Sequence, residues 1–584
     1  MKKVHLILED KDIHQALEDL SGLGVLHLEH HQTPRGESLD LLREERGRIA
    51  EVIAALSQVS PLPGQEICPH EKQMFINVDT SLKEIGDLES EINDLQAQIK
   101  RWEPWGNFEP YDIRGLEKKG VHVKLFEIPE ARLKELPEDL HAQTIFTSSG
   151  VAGVIIFSKG PIDLEWGEVP LPECGLKEMH GLLEKTRRQK QELANFVREC
   201  AKYFDVFRRR LERVDERIAY QEALAGRRME DILTVVTGFC PVDAVKMLEQ
   251  EASKKQWAYV IDNPSDDDKV PTLLRTPKWV RLIQPVFNLI NVLPGYHEID
   301  VSPVFLVFFS IFFGILIGDA GYGLVFAVLT GFVHWKLRRK EDSPKIIFYL
   351  MYLLSFMTVI WGLMTGTFLG QKLFPQIRPM VPWLADNDNV QVLCFFLGAL
   401  HLSIAHFWRT ILRFPSVSML SQLGWASIVW GMFFLAKVLV LGQNFPPAAR
   451  GLFIFGIASV LFFTKPSRNP LRAIGGGLAE LALNVVNSFT DVVSYIRLFA
   501  VGLAGVAVAD SFNVMVMGLG FDNFFIGLVS VLFLILIHAF NMILGVMAIL
   551  VHGLRLNILE FSSHMGLEWA GMKYEPFKKN TAGG

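Results

Sequence analysis

The chain has 584 residues, half of them hydrophobic, and a formal net charge of −6, which is too long for one ordinary soluble domain. The charge is unevenly spread: up to Asp300 there are 39 Lys and Arg against 52 Asp and Glu, and from Val301 onward 19 against 12. An acidic, charged half therefore precedes a long apolar half, and no nucleic-acid partner is expected.

Five cysteines, Cys68, Cys174, Cys200, Cys240 and Cys394, lie far apart. None is at metal-ligand or redox-motif spacing, so they read as reduced thiols in a cytoplasmic setting. Cys68-Pro-His70 reads as an accidental neighbourhood. The opening Met-Lys-Lys-Val-His-Leu has no apolar signal region, so the first half is expected to stay where it is made. No Gly-x-x-x-x-Gly-Lys-[Ser/Thr] loop occurs, so the chain is not expected to hydrolyse ATP by that route. No cofactor, metal site or nucleophile–base constellation is expected.

Residues 1–262 read as a cytoplasmic domain of two α/β lobes at the ends of a helical arm. The first lobe opens with a strand at Val4–Leu8, a helix bearing Ile13, Leu17, Leu20 and Leu23, and a strand at Val25–Leu28. The second lobe takes strands near Val121–Ile128, Val151–Phe157, Val235–Phe239 and Tyr259–Ile261. Between them lie two periodic stretches. One carries Leu82, Ile85, Leu88, Ile92, Leu95 and Ile99. The other, with Leu193, Val197, Cys200, Phe204, Phe207, Leu211, Val214 and Ile218, is spaced 4-3-4-3-4-3-4, the seam of a coiled coil. A helix from Leu176 to Glu222 spans roughly 70 Å, and two such helices make an antiparallel arm that holds the lobes apart. A solvated bundle within a compact domain is the alternative.

Residues 263–302, opening with Asn-Pro-Ser-Asp-Asp-Asp, read as a linker. Residues 303–584 read as an all-α membrane domain of about eight segments: Val304–Ile317, Gly321–Lys336, Ile346–Gly370, Val390–Trp408, Leu420–Val440, Leu452–Phe463, Gly477–Met517 and Phe524–Leu554. The first pair and the sixth are short, and the seventh is about twice the necessary length, so it must tilt or bend. With the first half cytoplasmic, the inner loops hold Lys336, Arg338, Arg339, Lys340, Lys345, Arg409, Arg413, Lys465, Arg468 and Arg472. The outer loops hold Lys372, Arg378, Arg450, Asp386, Asp388 and Asp522. That asymmetry follows the positive-inside rule and returns the basic C-terminus to the cytoplasm. Gly362, Gly366 and Gly370 recur at helix-packing spacing.

Arg497 lies deep in the seventh segment. Burying it costs from about 3 to more than 10 kcal/mol, so it must face water, protein or a counter-charge. Its guanidinium stays protonated and can force a nearby carboxylate to ionise. Glu480, Asn484, Asn487, Asp491 and Ser494 fall within about 40° of one helix line. This stripe reads as one wall of an aqueous half-channel from the cytoplasmic side; interhelical polar packing is the alternative. In the eighth segment, His538, Asn541, His552 and Arg555 share a broad face by the same geometry, with His538 toward the far side. Asp319 reads as a helix cap. His401 and His406, five apart, are not expected to share a face or bind a metal.

Ser494-Tyr-Ile-Arg497-Leu-Phe-Ala, His552-Gly-Leu-Arg555-Leu, Tyr574-Glu-Pro-Phe577, Phe312-Phe-Gly-Ile-Leu-Ile-Gly-Asp-Ala-Gly-Tyr-Gly323, Pro294-Gly-Tyr-His-Glu-Ile-Asp300 and Gly238-Phe-Cys-Pro241 resemble the subunit I or a-subunit of V/A-type rotary ATPases, of the bacterial or archaeal type. The resemblance implies that Arg497 faces the ion-carrying glutamate of a proteolipid ring, with Arg555 as the second arginine and two offset half-channels. It implies that the lobes bind peripheral-stalk subunits in a complex with central-stalk and soluble ATPase subunits, in the plasma membrane. The eukaryotic branch carries a histidine eight residues after the main arginine and a glutamate ten before the second; here those positions are Gly505 and Gly545, and His538 and Asn541 stand in for them. A stand-alone secondary transporter is the alternative, although no inverted repeat is evident. A membrane-anchored scaffold would not need Arg497.

Overall fold

The computed structural model describes residues 1–58, 70–137, 140–148, 150–160, 162, 164, 167–230, 232–338, 345–370, 376, 378–466, 470–518 and 524–579. Cys68, Arg339, Lys340, Lys372, Arg468 and Asp522 lie outside them. The chain forms two compact units, one of Lys2–Asn263 with Pro576–Gly584, the other of Met1 with Pro264–Glu575.

In the first unit, β1 (Lys2–Glu9), α1 (Ile13–Leu23) and β2 (His27–Glu29) are followed by α2 (Glu37–Ser57), α3 (Glu71–Trp102) and α4 (Pro110–Glu117). Then come β3 (His122–Pro129), β4 (His141–Ser148), β5 (Val151–Ser158), β6 (Glu168–Val169), α5 (Leu176–Glu199) and α6 (Phe204–Ala225). The last elements are β7 (Arg228–Glu230), β8 (Leu233–Cys240), α7 (Val245–Lys254) and β9 (Ala258–Asp262). Val4, Leu6 and Leu8 alternate inward along β1, the period of a half-buried strand. They pack on Ile13, Leu17 and Leu20 of α1 and on Phe577 from the chain's end.

The sheet around β1 corrects the lobe assignment read from the sequence. β8 and β9 do not join β3 and β5; both pair antiparallel with β1, Val4 opposite Gly238 and Ile261. The second sheet runs β4-β5-β3-β6. Strands late in sequence therefore close the sheet that β1 opens. Two further readings change. α2 is an additional helix, which packs on α6 while α3 packs on α5. The predicted continuous helix from Leu176 is interrupted by a tighter turn at Cys200–Tyr203. The heptad residues nevertheless face inward: Val197, Cys200, Phe207, Val214 and Ile218 share a core with Ile49, Val52, Phe75 and Val78.

The second unit opens with β10 (Pro271–Thr272) and α8 (Gln284–Ile290). Next are α9 (Ser302–Ile317), α10 (Ala320–Leu337), α11 (Lys345–Thr365), α12 (Asn387–Arg413), α13 (Met419–Leu441) and α14 (Pro447–Phe463). It ends with α15 (Pro470–Ser494), α16 (Ile496–Gly518), α17 (Phe524–Ala548), α18 (Ser562–Met565) and β11 (Met572–Lys573), which pairs with β10. Among the described residues, six of its helical runs are long and apolar enough to cross a membrane: α10, α11, α12, α13, Ile474–Gly518 and Phe524–Met565. α9 and α14 are shorter. α9 is apolar all round and buried along most of its length, which marks a helix enclosed by others. The glycine series divides: Gly362 lies on α11 against Ala320, but Gly366 (φ 73°) and Gly370 (φ 88°) lie past the helix end in left-handed conformations, so they serve a turn rather than helix packing.

Candidate functional site

The long seventh segment is two helices, α15 and α16, broken at Tyr495. Its amide donates to the Val492 carbonyl at 3.3 Å and its carbonyl accepts from Leu498 at 3.1 Å, tightening the turn. The Tyr495 ring is fully buried against Gly398, where a Cβ would come within 2.6 Å of it. The Tyr495 hydroxyl and His401 Nδ1 are 2.8 Å apart. His401 is itself stacked between Phe308 and Phe561, with ring centroids at 3.9 and 4.3 Å. A rigid aromatic stack therefore fixes the break, and Arg497 sits two residues beyond it.

Arg497 Nε donates to the Ser494 carbonyl at 3.0 Å and Nη2 to Glu560 Oε1 at 2.6 Å. Arg555 Nε lies 3.5 Å from the same oxygen. Two guanidiniums thus converge on one carboxylate. The Glu560 side chain is 4% exposed, while those of Arg497 and Arg555 are 23% and 54% exposed.

Glu560 does not stand out in the sequence, because it lies beyond the expected end of the eighth segment. After α17 the backbone widens into π-helical turns at Ile549–Gly553 and Leu556–Phe561. In a regular helix a residue five positions on lies about 140° away; π-winding brings such residues back into register. The same widening corrects the broad face predicted for the eighth segment. His538 and Asn541 remain together, but Arg555 joins Arg497. His552 Nδ1 is buried with no partner among the described residues.

Four residues of the predicted stripe, Glu480, Asn484, Asn487 and Asp491, line one cavity of about 150 Å³ with His406, Arg409, Gln422, Trp425, Ser488, Ser563 and His564. Ser494 is not among the lining residues; its carbonyl holds Arg497. Trp425 Nε1 donates to Glu480 Oε1 at 3.2 Å. Asp491 Oδ2 is 3.0 Å from His564 Nε2, His564 Nδ1 is 2.9 Å from His406 Nε2, and His406 Nδ1 is 3.1 Å from Gln422 Oε1. The row joins four elements by exchangeable protons. Arg409, read as a loop charge, belongs to α12 and donates to the His564 carbonyl at 3.0 Å. His401 and His406 face different partners. The pairing of His406 with His564 escapes a reading by spacing because it joins residues 158 positions apart.

The His538 group forms a second polar cluster. His538 Nδ1 is 2.8 Å from the Tyr322 hydroxyl and Nε2 is 3.1 Å from Asn513 Oδ1. Asn541 Nδ2 donates to the Tyr322 hydroxyl at 3.0 Å and to the Gly505 carbonyl at 2.8 Å. Asp319 caps α10, accepting from the Gly321 and Tyr322 amides, and also binds the Leu369 and Gly370 amides at 2.9 and 2.8 Å. Among the described residues no group of three or more His, Cys, Asp or Glu could hold a metal ion.

Residues 173–370 match the V-type ATPase 116kDa subunit family. The chain is 28% identical to V-type ATP synthase subunit I of Borreliella burgdorferi, covering 99% of both chains. It is 29% identical to V-type ATP synthase subunit I 1 of Treponema pallidum, again over 99% of both. With A-type ATP synthase subunit I of Methanocaldococcus jannaschii it shares 25% identity, over 58% of this chain and 53% of that one. Residues 173–370 are thus similar to the V-type ATPase 116kDa subunit family, and the chain over nearly its whole length to the V-type ATP synthase subunits I of these two bacteria.

Proposed function

We propose that this chain is the membrane stator subunit of a V/A-type ATP synthase, in which Arg497 is the fixed cation that faces the ion-carrying carboxylate of a proteolipid ring. The observation that carries the reading is a guanidinium on an apolar helix run, held by Ser494 and Glu560 yet still partly exposed. A charge kept at that depth needs a polar purpose, and a permanent cation lowers the pKa of a carboxylate brought beside it, releasing its ion. Arg555 adds a second cation. The cavity beneath Glu480, Asn484, Asn487 and Asp491 serves as the cytoplasmic half-channel, and the His538, Asn541, Tyr322 and Asn513 cluster as part of the far-side path. His552 and Ser494 act as supports of that path rather than its walls.

On this reading the lipid bilayer surrounds the second unit as a multi-pass domain of about eight helices in the plasma membrane, with the first unit and the C-terminus cytoplasmic. The α3 and α5 arm is an antiparallel coiled-coil spacer, and its lobes take peripheral-stalk subunits while the soluble ATPase and its central stalk turn the ring. The near-complete alignment with ATP synthase subunits supports this over a stand-alone transporter.

The test is Arg497→Ala in vesicles holding the whole complex. ATP-driven ion uptake should disappear while the complex still copurifies. Coupled uptake at the normal rate would end the proposal.

A further inference from the structure

Glu560 is an acid that the reading above does not use. It is nearly fully buried, and its Oε1 is shared by two arginines. Its Oε2 is buried with no hydrogen-bond partner among the described residues. Leaving such an oxygen unpaired is costly, so a purely structural ion pair would be expected to use both oxygens in a forked bond with one arginine. The pair here is a single contact. Arg497 spends Nε on Ser494 and Nη2 on Glu560, and Nη1 has no acceptor among the described residues. Half of the guanidinium fork is therefore open on a side chain that remains partly exposed.

We propose that Glu560 is an internal counter-ion for Arg497, a positioning residue that holds the guanidinium between visits of the ring carboxylate and yields it when one arrives. The proposal rests on the role given to Arg497 above. Its physical basis is charge balance. Arg497, Arg555 and Glu560 together carry one net positive charge. Without Glu560 they would carry two in an apolar setting, and an arriving carboxylate would be bound too tightly to leave. With Glu560 in place, Arg497 exchanges one carboxylate for another, so capture and release differ little in free energy. The open Nη1 lets the incoming carboxylate bind before Glu560 lets go, and Arg555 retains Glu560 during the exchange. No covalent step is involved.

The test compares Glu560→Gln, Glu560→Ala and Glu560→Asp in the whole complex in vesicles. Glu560→Gln keeps the shape and loses the charge. It should slow ATP-driven ion uptake about tenfold, with ions moved per ATP unchanged, while Glu560→Asp keeps most of the rate. A structural role would order the variants by shape, Glu560→Gln near normal and Glu560→Ala severe; that order overturns the proposal. Structures of the unaltered complex in several rotary positions supply a check that does not depend on a variant folding. The Arg497–Glu560 contact should be intact where no ring carboxylate lies within about 6 Å of Arg497, and lengthened where one does. A contact unchanged in every position removes the counter-ion role. If Arg497→Ala also pumps normally, the role of Arg497 itself falls; if Glu560→Gln alone does, only the counter-ion falls.

Discussion

Arg497 donates from Nε to Ser494 and from Nη2 to Glu560, and its Nη1 has no acceptor among the described residues. A lysine would bring the charge on a single nitrogen with no planar fork. Arg497→Lys should therefore slow ATP-driven uptake by at least about tenfold in whole-complex vesicles, even though net charge is kept. A rate equal to the unaltered complex would show that charge alone suffices at this position. Arg497 is legible in the sequence because a lone cation in an apolar run has no cheap explanation. Glu560 and His564 are not. Both follow the expected last segment, and a regular helical period misplaces every side chain after the π-turns that begin at Ile549. The stripe from Glu480 to Asp491 is legible because α15 keeps its regular period up to Ser494.

At the scale of elements, the break between α15 and α16 decides where Arg497 stands, and Tyr495 decides the break. Its hydroxyl is the partner of His401 Nδ1, while His401 Nε2 has none among the described residues. Tyr495→Phe would leave the buried imidazole with no partner among the described residues on either nitrogen. It should cost about 1–3 kcal/mol, seen as a lower melting temperature of the purified complex, with uptake otherwise preserved since the ring still fills its place beside Gly398. Unchanged melting would mean that the stack with Phe308 and Phe561 fixes the turn alone. The stripe permits a second element-scale prediction. Glu480→Leu with Asp491→Leu replaces two polar walls of the cavity with apolar ones, so uptake should fall about tenfold without loss of assembly. A normal rate would leave these residues a packing role. Local periods reveal such elements well; they say little about which strand closes which sheet. Leu233–Cys240 reads equally well as a strand of either lobe, and only its pairing with Lys2–Glu9 resolves the matter.

At the scale of the whole molecule, the chain contributes to the first unit twice, through Lys2–Asn263 and again through Pro576–Gly584. The contiguous boundaries read from the sequence, 1–262, 263–302 and 303–584, contain no hint of this return, since nine residues carry too little pattern to signal a docking partner. Yet the contact has the character of core structure. Phe577 is 9% exposed among Leu17, Leu20 and Leu26, its amide donates to the Leu26 carbonyl at 2.8 Å, and the Lys579 amide donates to the Ser21 carbonyl at 3.0 Å. Removing that ring opens a cavity beside the β1 sheet. Phe577→Ala should therefore destabilise this unit by about 3 kcal/mol, and hydrogen exchange of the full-length chain should quicken along β1 and β8 while α9 keeps its protection. Unaltered exchange in β1 and β8 would show that the lobe closes without its C-terminal segment, and that Phe577 covers a core already complete.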